Sequence, residues 1–402
     1  MSNHAASFMD PLIIADSQNP IVFFMTRSDV FVPWLKPVLW GARMLPIYRE
    51  QDGEDTKKKN HEVFKQCSKI LQGGENLIVF SEGFTDDTFV RRLKPIKKGA
   101  VRIGFTALEE CNWKKKIFIQ AVGINYSDPN YVGGDCVVSN GEPVCLNNYK
   151  HQYESDPNKI IYELTQQMEL SMRAQITDVR DIHLTTFHES IMRITRKGMN
   201  AIDTDKSIPL LDRWNYSKNL AHWINTENIT ANDEVMQLKD KMETYFSLLK
   251  QKRIEETPLY NVISNQREKL RERAYLFFLF PIMLIGVLFN YIPYMITKNM
   301  VEGAMKRRVF WGSVKMNVGL VFTGIYNILL FLLVSFVTPL PFWGLFCVGL
   351  FVIPITGLIA YQWRRRLKEY VKMNKIERSD ISEIATERTH ILKEIKRLIP
   401  VA

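Results

Sequence analysis

From about Ala274 to Trp363 the chain turns strongly apolar and aromatic, and no other feature narrows its possible folds as much. Three segments stand out: "AYLFFLFPIMLIGVLFNYIPYMIT" (274–297), "MNVGLVFTGIYNILLFLLVSFVT" (316–338) and "WGLFCVGLFVIPITGLIAYQW" (343–363). A membrane-spanning helix needs roughly 20 mostly apolar residues, and each segment meets that length. The rest of the 402 residues reads as ordinary soluble sequence. With 46% hydrophobic and 24% charged residues overall, the chain has material for a sizeable core, which excludes wholesale disorder.

Charge placement predicts how the apolar part meets a bilayer. Arg267, Lys269, Arg271 and Arg273 precede the first segment, and Lys298, Lys306, Arg307, Arg308 and Lys315 follow it. The link "PLPF" between the second and third segments carries no charge, while Arg364, Arg365, Arg366 and Lys368 follow the third. Basic residues stay on the cytoplasmic side. All clusters share that side if 274–297 dips in and returns, with Pro281, Gly286 and Pro293 permitting the bend. The expectation is therefore a re-entrant segment at 274–297, with three plain spans as the alternative. A hairpin over 316–363 and a basic cytoplasmic helical tail over 364–402 complete it. The soluble part of such an integral membrane protein, residues 1–273, is then expected on the cytoplasmic face.

The net charge of +10 calls for an anionic partner. The basic residues gather beside the apolar segments and in one loop, without interleaved aromatics, so anionic lipid fits and nucleic acid does not. The cysteines (Cys67, Cys111, Cys136, Cys145 and Cys347) are odd in number and scattered. This speaks against a disulfide framework and a zinc site, and for a reducing compartment. No signal peptide pattern is present.

Residues 1–150 alternate apolar runs with helical patterns. "PIVFFMT" (20–26), "ENLIVFSEG" (75–83) and "KIFIQAVGINY" (116–126) read as buried strands. Residues 55–74 and 97–110 read as amphipathic helices, the first stopped by Gly73-Gly74. Strands alternating with helices imply an α/β layer architecture. Residues 151–273 read as a mostly helical accessory region, with helix starts at Asp156-Pro157 and Asn232-Asp233. His183 and His188 fall there without metal-ligand spacing and read as structural.

Four stretches carry chemistry. In "NHAASFMDP" (3–11), His4 has the side chain suited to take a proton from an alcohol near neutral pH, and Asp10 is placed to fix its tautomer. In "WGARMLPIYRE" (40–50), Arg49 follows an apolar edge and offers a two-pronged phosphate contact. In "IVFSEGFTDDTFVRRLKPIKKGAVRIG" (78–104), a strand ends at Ser81-Glu82-Gly83. Arg91, Arg92, Lys94, Lys97 and Lys98 then crowd a loop and a helix start, which together favour an anion. "IQAVGINY" (119–126) is a buried strand lining the site.

In this order and spacing, the four stretches resemble the phospholipid/glycerol acyltransferases, which include glycerol-3-phosphate and 1-acylglycerol-3-phosphate acyltransferases. The resemblance covers about residues 1–150 and rests on "NHAASFMDP", "LPIYR", "FSEG" and "IQAVGIN". It implies a mixed sheet flanked by helices, followed by a helical region and membrane helices. It implies His4 as general base on a glycerol hydroxyl, Asp10 as its orienting partner, and Arg49 on the acceptor phosphate. Glu82 and Gly83 shape the acceptor pocket. The donor is a thioester, acyl-CoA or acyl-carrier protein, and neither a further cofactor nor a metal is implied. The partners are the glycerol phosphate or lysophospholipid acceptor, that donor and membrane lipids.

Departures from the family pattern qualify this. Five residues separate His4 from Asp10 where four are commoner, which resembles a subgroup with C-terminal membrane segments. The third block runs "EGFTDD" where Glu-Gly-Thr-Arg is usual, so Arg91 or Arg92, with Lys97 nearby, must supply the phosphate contact. Ala121 stands where proline is usual. Only Met1, Ser2 and Asn3 precede His4, so the strand that normally leads into the histidine is expected to be missing, through truncation or damage at that sheet edge. The mechanism expected is direct transfer, since no serine or cysteine nucleophile accompanies the pair. The competing expectation is an impaired or truncated acyltransferase-like membrane protein serving as a tether.

Overall fold

The computed structural model describes residues 1–6, 9–17, 19, 22–28, 31–33, 36–48, 56–83, 86, 88–264, 269–337 and 342–400. Arg49 lies outside the described residues. The chain divides into two compact units, Met1–Thr185 with Pro209–Asn225, and Thr186–Ile208 with Thr226–Ala402.

In the first unit, α1 (Met9–Ser17) leads to β1 (Phe23–Arg27), and α2 (Lys36–Gly41) to β2 (Met44–Ile47). α3 (Thr56–Gln72) then leads to β3 (Leu77–Ile78). β1 lies between β2 and β3, parallel to both. The amphipathic pattern of α3 buries Val63 and Cys67. α4 (Gly99–Glu110) buries Val101, Ile103, Phe105 and Leu108.

Residues 1–3 fill the next position in this sheet. Ser2 makes parallel bridges to Phe80 and to Val122. Its N–H donates to the Val79 carbonyl at 3.0 Å, and the Val122 N–H donates to the Met1 carbonyl at 2.8 Å. The Asn3 side chain prolongs the ladder: Oδ1 accepts from the Ile124 N–H at 2.7 Å, and Nδ2 donates to the Ile124 carbonyl at 3.0 Å. His4 thus leaves the sheet from a hydrogen-bonded slot.

The stretch expected as one strand over 116–126 is two. β4 (Phe118–Ile119) ends before Gln120, and β5 (Val122–Tyr126) begins after Ala121. β5 pairs antiparallel with β6 (Cys136–Asn140), and β4 with β7 (Val144–Cys145). The break follows from competing partners: the Gln120 carbonyl accepts from the Met1 amino group, and the Ala121 carbonyl from the Gly141 N–H. The main sheet is mixed, ordered β2-β1-β3-(residues 1–3)-β5-β6.

Beyond the sheet, α5 (Lys150–Ser155) precedes α6 (Pro157–Gln175). Asp156 caps α6 by accepting from the Lys159 N–H, with Pro157 in the first turn, as the sequence predicts. α6 packs Leu164, Met168 and Met172 into the core around Phe105 and Leu108. The 151–273 region is therefore shared between the units: α6 belongs to the first because its apolar face completes that core. α7 (Thr185–Thr195) and α8 (Leu210–Thr226) follow, with His188 buried in α7 and His183 in a short turn before it.

In the second unit, Asn232 caps α9 (Asp233–Lys252). α10 (Glu256–Ile263) carries the fully buried Glu256, which pairs with Arg388 at 2.6 Å and accepts from the Tyr245 hydroxyl. After α11 (Lys269–Phe278) comes α12 (Phe280–Ala304), an unbroken helix of 25 residues. The reversal expected within 274–297 is absent. Pro281 stands in the first turn, where its missing N–H costs nothing. Gly286 serves close helix approach instead of a bend, since a Cβ there would lie 2.1 Å from the Thr356 carbonyl oxygen. Pro293 is buried inside the helix without ending it.

α13 (Trp311–Val337) is followed by α14 (Phe342–Cys347), a π-helical turn (Val348–Val352) and α15 (Ile353–Glu377). α16 (Ser382–Leu398) follows. α15 runs antiparallel to α12. Near one end, Trp363 donates to the Leu276 carbonyl, Arg273 to the Tyr370 hydroxyl and Arg366 to Glu272; further along, Asn290 donates to the Ile353 carbonyl. At the other end of α12, Glu302 pairs with Lys315. The basic clusters around Arg273 and Arg366 therefore share one end of α12, and Lys298–Lys315 occupy the opposite end, about 30 Å away along an 18-residue rise.

Among the described residues, two helical stretches are long and apolar enough to cross a membrane, Phe280–Ala304 and Arg308–Phe336. Neither is the buried core helix of a soluble protein: Leu288, Leu320, Leu333 and Phe336 are all more than 60% exposed. The third expected segment, 343–363, is helical throughout its described residues, with a π-helical turn (Val348–Val352) between α14 and α15.

Candidate active site

Three of the site's segments leave the carboxyl ends of adjacent sheet positions that run parallel to one another. His4 follows residues 1–3, Ser81 to Gly83 follow β3, and Tyr126 ends β5. In open α/β sheets this edge is where ligands bind, because loops diverge there and leave a crevice.

Asp10 sits in the first turn of α1 and is completely buried. A carboxylate there meets unpaired backbone donors and the positive end of the helix. It reaches back over a tight turn. The Ala6 N–H donates to Oδ1 at 3.1 Å and to Oδ2 at 2.9 Å. His4 Nδ1 lies 2.8 Å from Oδ2, and the Tyr126 hydroxyl donates to Oδ1 at 2.8 Å. The His4 ring stacks on Phe80, with centroids 4.5 Å apart. With Nδ1 held by Asp10, Nε2 is the nitrogen left for a substrate. The His4–Asp10 pair expected from "NHAASFMDP" is brought together.

A pocket opens beside it, lined by Asn3, His4, Glu82, Asp86, Phe89, Arg91, Arg92, Lys94, Asn125, Tyr126 and Thr177 among others. Glu82 is buried. Its Oε1 accepts from the His4 backbone N–H at 3.3 Å, and its Oε2 lies 3.4 Å from Lys94. Burial pushes the Glu82 carboxyl up from 4.5 to about 7; Lys94 and the His4 N–H oppose the shift, and Asp86 adds to it. Lys94 also lies 3.2 Å from Asp86. Burial, then the neighbouring Asp10, raises the Tyr126 hydroxyl well above its ordinary value, so it stays a protonated donor. The same causes push the Cys136 thiol up to about 12.

Gly83 is where the turn needs glycine: its φ is +77°, and a Cβ there would meet Lys97 Nζ at 2.7 Å. Lys97 drapes over Gly83, with its N–H donating to the Ser81 carbonyl, and it is not among the pocket-lining residues. Lys94 takes the place in the pocket wall that the sequence assigns to Lys97. Of the two arginines, Arg91 is buried, donating to the Tyr126 and Ser127 carbonyls at 2.6 and 2.9 Å, which makes it a strut for the end of β5. Arg92 is exposed in the wall. It is the cation best placed to meet an anionic ligand.

Sequence reasoning missed Thr177 and the contact of Tyr126 with Asp10. Asn125 bonds the Thr177 N–H and the Gln175 carbonyl, and Gly123 lets Gln175 approach: a Cβ there would lie 2.3 Å from the Gln175 carbonyl oxygen. The polar strand end "GINY" is the only signal that pointed to these contacts.

Residues 1–125 match the family model for acyltransferases, a span that holds His4, Asp10, Glu82 and the basic loop. No curated protein and no solved structure matches the chain. The family match supports an enzyme of the acyltransferase kind.

Proposed function

We propose that the chain is a membrane-bound O-acyltransferase. It moves a fatty acyl group from a thioester donor to a hydroxyl of glycerol 3-phosphate or 1-acylglycerol 3-phosphate, in phospholipid synthesis. The observation that carries this reading is the 2.8 Å contact of His4 Nδ1 with a fully buried Asp10, at a pocket holding Arg92 and inside the acyltransferase match.

The chemistry follows from that geometry. Asp10 holds the tautomer with the proton on Nδ1, which leaves Nε2 basic. Nε2 takes the acceptor hydroxyl's proton as its oxygen attacks the thioester carbonyl carbon. The tetrahedral intermediate collapses with cleavage of the carbon–sulfur bond, and the imidazolium returns its proton to the departing thiolate. Arg92 contacts the acceptor phosphate, and Glu82 with Lys94 shapes that side of the pocket. Acyl-CoA or acyl-carrier protein supplies the thioester. The exposed apolar faces of α12 and α13 support membrane insertion, which keeps the enzyme beside a substrate and product that partition into lipid.

An acyl-transfer assay on membranes containing the full chain tests the reading, pairing each acceptor with acyl-CoA and with acyl-carrier protein. Labelled acyl glycerol phosphate above the background of control membranes is expected. No transfer with any donor and acceptor pair contradicts the enzyme and favours a tether.

A further inference from the structure

The division of labour on Asp10 goes further than a histidine–aspartate pair. Its two oxygens face different partners: Oδ2 meets His4 Nδ1 at 2.8 Å, and Oδ1 accepts from the Tyr126 hydroxyl at 2.8 Å. The Ala6 N–H lies against both. Asp10 is 0% and Tyr126 5% exposed, so water does not replace a lost donor at low cost.

The position of Tyr126 is set from two sides. Asn3, next to His4, binds both the N–H and the carbonyl of Ile124 and so fixes the register of β5. Arg91 grips the Tyr126 and Ser127 carbonyls. The element that carries the histidine is thereby locked to the element that carries the phenol. A residue that only filled the core would need the ring and not the hydroxyl.

We propose that Tyr126 is a positioning residue of the catalytic pair, whose hydroxyl holds the Asp10 carboxylate in the orientation that His4 needs. The inference rests on the acyl-transfer reading. Tyr126 touches no reacting atom. Removing its hydroxyl leaves the Asp10 carboxylate with more of its charge facing His4, which strengthens the imidazolium's ion pair and makes His4 harder to deprotonate.

The test compares wild type, Tyr126→Phe, Asp10→Asn and the double variant of the full chain in the acyl-transfer assay, across pH. Tyr126→Phe keeps the ring. It is expected to lower kcat about tenfold, leave KM for donor and acceptor within about twofold, and move the acidic limb of kcat/KM upward. The double variant is expected to be no slower than Asp10→Asn alone, since the hydroxyl acts only through the carboxylate. As a second variant, a fluorinated tyrosine at 126, a stronger donor, is expected to move the acidic limb the opposite way. A Tyr126→Phe enzyme with the wild-type pH profile and kcat overturns the proposal, as does a double variant that loses the product of the two single effects. If wild type transfers acyl groups and these variants behave so, only Tyr126's role falls. If wild type transfers none, both readings fall together.

Discussion

The two sides of the pocket are built on different principles. On the dyad side, Asp10 and Tyr126 are buried, each polar atom has a close partner, and those partners come from residues 1–6 and the end of β5. On the loop side, Glu82, Asp86 and Lys94 form a charged cluster and Arg92 is exposed. The first side is suited to hold one proton-transfer geometry. The second is suited to meet a charged ligand and to change protonation near neutral pH. Chemistry and recognition are thus separable by substitution.

The largest break in this comparison comes from Asp10→Asn. Losing the orienting carboxylate is expected to lower kcat about a thousandfold with little change in acceptor KM, measured by steady-state transfer. On the other side, Arg92→Ala is expected to raise the KM for a phosphate-bearing acceptor about tenfold while kcat falls only a few-fold. A kcat collapse in Arg92→Ala would merge the two sides into one.

Glu82 sharpens the contrast through pH. Its carboxyl titrates near 7 in the folded chain and near 4.5 when unfolded, so the folded state holds the proton more tightly. That contribution to stability is fully present below about 4.5, and it is lost as pH rises to about 7. Thermal unfolding of wild type is expected to show falling stability across this window, and Glu82→Gln a flatter profile. Equal slopes for the two would remove Glu82 as the titrating group. Least effect on transfer is expected from Gly286→Leu in the second unit. It should lower that unit's Tm by separating α12 from α15, and leave kcat per folded molecule unchanged.

How much of this the residues announced differs in the same way. His4 and Asp10 were legible because they stand only six positions apart, and a local turn closes the distance. The role of Tyr126 was not, because it depends on a register between residues 1–3 and β5, more than a hundred positions apart. The basic loop was legible as a crowd of charge, but which lysine faces the pocket was not: the backbone bond of Lys97 to Ser81 holds Lys97 over Gly83, and Lys94 lines the wall. Apolar length announced α12 and α13, while the prolines and glycine of α12 misled. The same residue types that bend a helix also start one, as Pro281 does, or let two helices touch, as Gly286 does.

The claim everything else depends on is that His4 performs the deprotonation. Acyl transfer to glycerol 3-phosphate or its 1-acyl derivative should be compared between wild type and His4→Ala, in membranes matched for folded protein. His4→Ala is expected to lose at least about a thousandfold in kcat, with donor and acceptor still bound. Transfer by His4→Ala within tenfold of wild type would contradict it.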